Sequence, residues 1–207
     1  MKRTIIVAIV AVLIGIALWI VFGFSPQEIR NYPSSGTEVI AFGDSLIEGV
    51  GSVDGGDLVS LLSEKTGVPI KNFGRSGDTT ELALERLPVV LDEVPHPKVV
   101  IVLLGGNDFL RKIPKTQTFS NMEKIISSFQ ERGAVVIILG IRGGIFKDNF
   151  QKEFENLSKV YATGYVPNVL SGLIGRSEYM YDSIHPNNIG YKRVADRVYP
   201  VLSKLIN

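Results

Sequence analysis

Residues 99–108 read VVIVLLGGND, six consecutive apolar residues directly before two glycines and two polar side chains. The β-branched residues favour a strand, and uninterrupted apolarity is typical of strands that are covered on both faces, as they are in parallel sheets. Residues 134–139 repeat the pattern with AVVIIL. The two segments therefore predict a parallel β-sheet with both faces buried.

Strand-like and helical patterns alternate along the rest of the domain. Further strands are predicted at residues 39–42, 69–73 and 164–167. Apolar residues at helical spacing lie between them, in stripes at 58–62, 87–94, 122–129 and 194–205. Pro200 lies inside the last stripe and predicts a kink or a restart of that helix. The alternation is typical of βαβ units and predicts an open doubly wound α/β domain.

The N-terminal part of the chain has a different character. Residues 5–24 form a run of twenty residues without a charge, preceded by Lys2 and Arg3. A helix of that length spans roughly 30 Å, the thickness of the hydrocarbon core of a bilayer. We therefore expect residues 1–25 to be a transmembrane anchor, with a signal sequence cleaved near Ser25 as the alternative.

The basic residues before the run favour a cytoplasmic N-terminus and a domain outside the cytoplasm, in the periplasm or at the cell surface. Cleavage would instead give a secreted protein. Residues 26–37 are rich in proline and serine and are expected to be a linker, which leaves residues 38–207 as the folded domain.

Composition excludes several classes of function. The chain has 22 Lys and Arg against 21 Asp and Glu, without a basic block, so a nucleic-acid partner is not expected. It has no cysteine, which excludes thiol nucleophiles and cysteine-ligated zinc. His96 and His185 are its two histidines. The sequence does not indicate an oligomeric state.

Small and polar residues follow the predicted strands. The active sites of open α/β sheets form at these carboxyl ends of the strands. Ser45 comes directly after the first strand, in the segment Gly43-Asp44-Ser45-Leu46. A serine in this place is either a nucleophile or the N-cap of a helix. The segment is not G-x-S-x-G, so it differs from the nucleophile elbow of α/β-hydrolases.

His185 is the candidate general base for Ser45. Asp182 lies three residues before it and could orient the imidazole ring, although both could instead face solvent in a turn. His96 lies between two prolines that lead into the third strand. We expect it on the surface, at the edge of the sheet opposite to Ser45.

Acyl transfer also requires hydrogen-bond donors for the oxyanion. The N–H of Gly74 after the second strand, the side-chain amide of Asn107 after the third strand and the N–H of Ser45 are the candidates. Gly74 could instead be a turn residue, and Asn107 could be a cap.

These residues resemble the four sequence blocks of the GDSL or SGNH hydrolases, in order. The blocks are G-D-S-L with Ser45, N-x-G with Gly74, G-G-N-D with Asn107, and D-x-x-H-P with Asp182 and His185. The resemblance covers roughly residues 38–203. It is greatest to small bacterial members that act as thioesterases, lysophospholipases or arylesterases, which also share Ile141-Arg142 and His185-Pro186-Asn187.

The resemblance implies a flavodoxin-like, three-layer α/β/α fold with a five-stranded parallel sheet, here preceded by the transmembrane helix. It implies a Ser45–His185–Asp182 triad and an oxyanion hole formed by Ser45, Gly74 and Asn107, without a metal or an organic cofactor. Asp44 and Arg142 are further candidates for substrate contact. Residues 143–146 (GGIF) differ from the family, where a loop with proline and asparagine is expected.

The predicted activity is hydrolysis of small-molecule esters or thioesters through an acyl-enzyme. Two alternatives are a cell-envelope carbohydrate O-acetyl esterase, which would use the same triad, and a membrane-tethered binding module without activity.

Overall fold

A computed structural model describes residues 28–142 and 150–206 of the 207-residue chain. Five strands form one parallel sheet in the order β2-β1-β3-β4-β5. They are β1 (Glu38–Gly43), β2 (Ile70–Gly74), β3 (Pro97–Leu103), β4 (Val135–Leu139) and β5 (Gly164–Val166). All five predicted strands, the third of which is predicted at residues 98–104, are confirmed with ends that differ by at most one residue.

Helices cover both faces of this sheet. They are α1 (Ser45–Glu48), α2 (Leu58–Thr66), α3 (Thr80–Glu93), α4 (Gly106–Leu110), α5 (Lys115–Glu131), α6 (Phe150–Val160) and α7 (Asn188–Leu205). α2 packs against α7, whereas α3 packs against α5 and α5 against α6. The three-layer α/β/α architecture is therefore confirmed.

The core lies between the sheet and the two helical layers. Every residue of β4 is buried, as the apolar pattern predicts. On α5, the residues Met122, Ile125, Ile126 and Phe129 are fully buried, and the Phe129 ring meets Phe42 of β1 edge to face with 5.4 Å between centroids. Burial of one such side chain contributes on the order of 1.5–3 kcal/mol, so the stripe alone accounts for a large share of the attachment of α5.

Four helices differ from the prediction, among them the short helices α1 and α4, which lie outside the predicted stripes. The predicted helical stripes do not include α6, although Phe150, Phe154 and Leu157 are buried at helical spacing. α7 runs as one helix from Asn188 to Leu205 with Pro200 inside it, so the predicted restart is wrong.

Residues 28–37, the described part of the segment predicted as a linker, pack on the domain. The N–H of Arg30 donates to the carbonyl of Ala162 at 2.8 Å, and Asn31 Nδ2 donates to the carbonyl of Ala134 at 2.9 Å. The N–H of Thr37 donates to the carbonyl of His96 at 3.3 Å. All three acceptors precede strands, so the segment runs along the N-terminal edge of the sheet.

The predicted membrane span at residues 5–24 lies outside the described residues, as do residues 143–146. Within residues 28–142 and 150–206, no helix is long and apolar enough to cross a membrane.

The strand order places β1 between β2 and β3. Because the chain leaves β1 toward one side for β2 and returns on the other side as β3, the carboxyl ends of β1 and β3 flank a topological switch point. This is where ligands bind in open α/β sheets.

Candidate active site

Ser45 begins the short helix α1, immediately after β1. β1 ends at Gly43, where a Cβ would collide with the carbonyl oxygen of Leu103 on β3. The carboxyl of Asp44 caps α1 by accepting a hydrogen bond of 3.0 Å from the N–H of Leu46, a position that aspartate favours. The N-cap is therefore Asp44, and the Ser45 hydroxyl is not used for capping.

The ring of His185 lies against this hydroxyl. Its Nε2 is 2.9 Å from Oγ of Ser45, and its Nδ1 is 2.7 Å from Oδ2 of Asp182. When Nδ1 carries the proton that is donated to the carboxylate, Nε2 is the acceptor and can take the proton of the serine. The structure thus brings the three predicted residues together as hydroxyl, imidazole and carboxylate.

Asp182 is held by the turn that it begins. Its Oδ1 accepts hydrogen bonds from the N–H groups of Ile184 at 2.8 Å and His185 at 2.7 Å. Burial alone would raise the pKa of Asp182, but the hydrogen bonds from the His185 ring and from these two N–H groups outweigh it and lower the pKa to about 2. The carboxylate is therefore ionised near neutral pH and can stabilise an imidazolium.

The segment after His185 fixes the position of this turn. Asn187 caps α7 by accepting hydrogen bonds of 3.0 Å from the N–H groups of Ile189 and Gly190. The hydroxyl of Tyr191 donates to the carbonyl of Val50 at 2.8 Å. These contacts join the start of α7 to the chain that follows the nucleophile.

Asn107 lies on α4, just after β3, and lines the same cavity as Ser45. Its Nδ2 donates to the carbonyl of Asp78 at 2.9 Å, which orients the amide while leaving its second N–H for another acceptor. The backbone N–H of Ser45 has no hydrogen-bond acceptor within the described parts of the chain. Both N–H groups are thus available to an oxyanion that forms beside Ser45.

Gly74 does not have the free N–H that the prediction requires. This N–H donates to Oδ1 of Asn72 at 2.8 Å, and Nδ2 of Asn72 donates to the carbonyl of Ile47 at 2.8 Å. A Cβ at Gly74 would collide with the backbone nitrogen of Glu48. The glycine therefore allows β2 to approach α1, and the geometry argues against Gly74 as an oxyanion donor.

Gly77, three residues further along the same loop, is not among the predicted donors. Its φ of 79° lies in the left-handed region that glycine favours. Its carbonyl accepts a hydrogen bond of 2.9 Å from Arg111, whereas its N–H has no acceptor among residues 28–142 and 150–206. The next residue is Asp78, whose carbonyl holds the Asn107 amide. The sequence signal for Gly77 is that it is a second glycine in this loop.

Asp44 lines the cavity but is only 2% exposed. Burial raises the pKa of Asp44 to about 7; the hydrogen bond from Leu46 opposes this rise, and the negative charges of Asp78 and Asp108 add to it. Its capping role gives Asp44 a structural function, and its contact with substrate stays a prediction.

The site opens into a cavity of about 390 Å³, a volume within the range of small-molecule sites. Most of the wall of this cavity is apolar. The apolar part is formed by Leu46, Phe109, Leu110, Ile141, Phe150, Leu170, Ile174 and Ile184. Arg142 also lines the cavity and is exposed, so it is placed where a substrate could contact it.

His96 is exposed and directly precedes β3, at the opposite edge of the sheet from Ser45. The described residues contain no group of three or more His, Asp or Glu side chains that could hold a metal ion.

The sequence of this chain is similar to those of known proteins. Residues 41–193 match the model of the GDSL-like Lipase/Acylhydrolase family. Esterase TesA of Pseudomonas aeruginosa is 30% identical over 179 residues, which cover 81% of this chain and 89% of that protein. Thioesterase 1/protease 1/lysophospholipase L1 of Escherichia coli is 28% identical over 177 residues, which cover 82% and 85%.

The fold is likewise similar to a solved structure. A crystal structure of TesA matches with a TM-score of 0.76 and 29% identity, covering 82% of this chain and 99% of that one. The likeness therefore extends over most of the folded domain.

Proposed function

The chain belongs to the GDSL-like lipase/acylhydrolase family and is a carboxylic ester hydrolase, and from this premise we propose that Ser45 is the nucleophile, His185 the general base and Asp182 the residue that orients the base. The observation that carries this proposal is the continuous chain of contacts from Ser45 Oγ to His185 Nε2 and from His185 Nδ1 to Asp182.

In the first half of the reaction, Ser45 Oγ bonds to the carbonyl carbon of the substrate while its proton passes to His185 Nε2. The C–O or C–S bond to the leaving group then breaks, and His185 gives the proton to the departing oxygen or sulfur. In the second half, a water molecule attacks the acyl-enzyme and gives its proton to His185. The bond to Ser45 then breaks, the proton returns to Oγ, and the carboxylic acid leaves.

The oxyanion of each tetrahedral intermediate requires fixed donors. The N–H of Ser45 and the side-chain amide of Asn107 are two of them. We assign the third to the N–H of Gly77 rather than Gly74, because the Gly74 N–H is paired with Asn72 while the Gly77 peptide adjoins the carbonyl that holds Asn107.

The apolar cavity wall supports a substrate with a hydrocarbon acyl group. Phe109, Ile141 and Leu170 would contact such a chain, whereas acetyl groups on a carbohydrate would leave these surfaces uncovered. We therefore favour esters and thioesters of fatty or aromatic acids, such as those cleaved by arylesterases, acyl-thioesterases and lysophospholipases. The carbohydrate O-acetyl esterase is the less favoured alternative.

A membrane anchor at residues 5–24 stays a hypothesis that rests on the sequence. Because residues 30–37 run along the N-terminal edge of the sheet, such an anchor would attach at the edge opposite to Ser45, and the cavity would face away from the membrane. Carbonate extraction of membranes tests the hypothesis. An extractable protein whose N-terminus is near Ser25 would indicate a cleaved signal sequence instead.

The catalytic assignment is tested with Ser45→Ala on p-nitrophenyl butyrate. We expect hydrolysis to fall to background, because no hydroxyl remains opposite His185. Ser183→Ala is the matched control, since Ser183 lines the same cavity without a place in the proposed mechanism, and it should hydrolyse the ester like wild type. Wild-type turnover by a folded Ser45→Ala protein would refute the assignment.

A further inference from the structure

The turn that carries Ser45 (residues 43–46) and the loop whose Asp78 carbonyl bonds to Asn107 (residues 75–79) are separate segments. Arg86 of α3 is bonded to both. One terminal guanidinium nitrogen of Arg86 donates to the carbonyl of Gly43 at 2.8 Å, two residues before Ser45. Its Nε donates to the carboxylate of Asp78. The backbone carbonyl of the same Asp78 accepts the hydrogen bond from Asn107 Nδ2 at 2.9 Å.

These contacts are shielded from solvent. The side chain of Arg86 is 15% exposed and that of Asp78 is 3% exposed. The guanidinium carbon also lies 4.3 Å from the centroid of the Phe42 ring, on the strand that ends at Gly43. A planar guanidinium can bond two acceptors at fixed directions, which the single ammonium of a lysine cannot reproduce. The arrangement therefore fixes the position of one segment relative to the other.

We propose that Arg86 is a positioning residue for ester hydrolysis: it sets the position of the Ser45 turn relative to the Asn107 amide. This inference rests on the proposed function, because the placement of Asn107 matters only if its amide binds the oxyanion. Arg86 is not among the residues that line the cavity. Its loss should therefore lower kcat, which depends on the geometry of the transition state, and should change KM much less.

One backbone bond also joins this loop to the Ser45 turn, because the N–H of Arg75 donates to the carbonyl of Gly43 at 3.0 Å. Further contacts hold the Asn107 side without reaching the nucleophile. Asp108, the neighbour of Asn107, accepts hydrogen bonds from the N–H of Thr80 at 2.9 Å and from Oγ1 of Thr118 at 3.1 Å. None of these groups contacts the turn at Ser45. We therefore expect a domain without Arg86 to keep its fold while the two halves of the site lose their relative alignment.

The test compares steady-state kinetics of Arg86→Gln and Arg86→Lys on p-nitrophenyl butyrate. For Arg86→Gln we expect kcat to fall about 10- to 100-fold, because a displacement of roughly 1 Å can cost that much in rate, with KM within about threefold of wild type. Arg86→Lys keeps the charge beside Asp78 and should recover part of kcat. Arg75→Gln is the matched control, because the Arg75 side chain is 70% exposed and its Nε is 4.0 Å from Asp78.

Chemical rescue separates positioning from general damage. Millimolar guanidinium should raise kcat of Arg86→Ala by refilling the site between Gly43 and Asp78, whereas urea, which has a similar shape without the charge, should not. If Arg86→Gln does not fold, the neutral pair Asp78→Asn with Arg86→Gln replaces it, because no unpaired buried charge then remains.

Coupling to the oxyanion donor gives a further readout. The readout is a double-mutant cycle that combines Arg86→Gln with Asn107→Ala. Arg86→Gln should lower kcat much less in the Asn107→Ala protein than in the wild type, because the amide that Arg86 aligns is then absent. Wild-type kcat in the folded Arg86 variants, or losses that simply multiply in the cycle, would overturn the inference. Ester hydrolysis by Ser45→Ala would instead refute the proposed function itself, so the two failures are distinguishable.

Discussion

Nε2 of His185 lies 2.9 Å from Oγ of Ser45, although 140 positions separate the two residues in the chain. Ser45 follows the first strand, and His185 lies three residues before the first residue of the last helix. The contact forms because both segments lie at the carboxyl edge of the sheet, where β1 and β3 flank the switch point. The juxtaposition of Ser45 and His185 is therefore a property of the whole fold.

Asp182→Asn should lower kcat by about 10²- to 10⁴-fold with little change in KM, because an amide cannot stabilise the imidazolium and favours the wrong tautomer of the ring. The measurement is steady-state hydrolysis of p-nitrophenyl butyrate. Asp196→Asn is the control, since Asp196 forms a surface pair with Lys65 at 2.8 Å. Equal kcat in the Asp182 variant and the control would contradict the assigned role.

Asn107→Ala should lower kcat on the order of 100-fold, the usual cost of one oxyanion donor. Ser171→Ala removes a polar group from the wall of the same cavity and should leave kcat unchanged. Thermal unfolding of both variants tells whether the lost hydrogen bond to Asp78 also affects stability. A kcat within twofold of wild type for Asn107→Ala would exclude its amide from the oxyanion site.

Asp44→Asn should change how stability depends on pH. Burial raises the pKa of Asp44 from 3.8 to about 7, so between these values the unfolded chain releases a proton that the folded protein retains. The free energy of unfolding of the wild type therefore falls as the pH rises from about 4 to about 7, by an amount on the order of 4 kcal/mol, and this contribution is constant outside that window.

The Asp44→Asn protein lacks this titration, while Asn retains an oxygen that can accept the hydrogen bond from Leu46. Its stability relative to wild type should increase steadily over that pH window. Urea unfolding of both proteins at several pH values measures the difference. Parallel stability curves would show that Asp44 titrates at its ordinary value.

Leu170→Trp should shorten the acyl chains that the enzyme accepts, because the indole ring is larger than the leucine side chain and would occupy part of the cavity. The measurement is kcat/KM over p-nitrophenyl esters of increasing chain length. We expect a selective loss on the long esters and near-normal hydrolysis of the acetate. Val89→Trp, on a side chain that is 69% exposed and does not line the cavity, is the control. A uniform loss at all lengths would place the acyl chain elsewhere.

The sheet could be predicted from the sequence because its strands are buried on both faces. Uninterrupted apolar runs of six residues, such as 99–104, are too short for a membrane span and lack the polar face of a surface helix, so they indicate buried strands. The edge at which Ser45 and Asn107 lie follows from the parallel order, since all strands end on the same side. These parts of the prediction required only local pattern and general topology.

Other features depend on contacts between distant segments. The sequence predicts Gly74 as a donor and does not point to Gly77, and only the structure shows that the Asn72 side chain pairs with the N–H of Gly74. The segment at residues 30–37 has the composition of a linker, yet Asn31 bonds to the carbonyl of Ala134, 103 positions away. Composition does not reveal such partners.

Covalent labelling by a fluorophosphonate tests the central claim most directly, because the probe forms a bond only with a serine whose proton is removed by a base. We predict that the wild-type protein is labelled at a single peptide containing Ser45, that Ser45→Ala is not labelled, and that His185→Ala is labelled far more slowly. Equal labelling of wild type and His185→Ala, or label on another residue, would contradict the account.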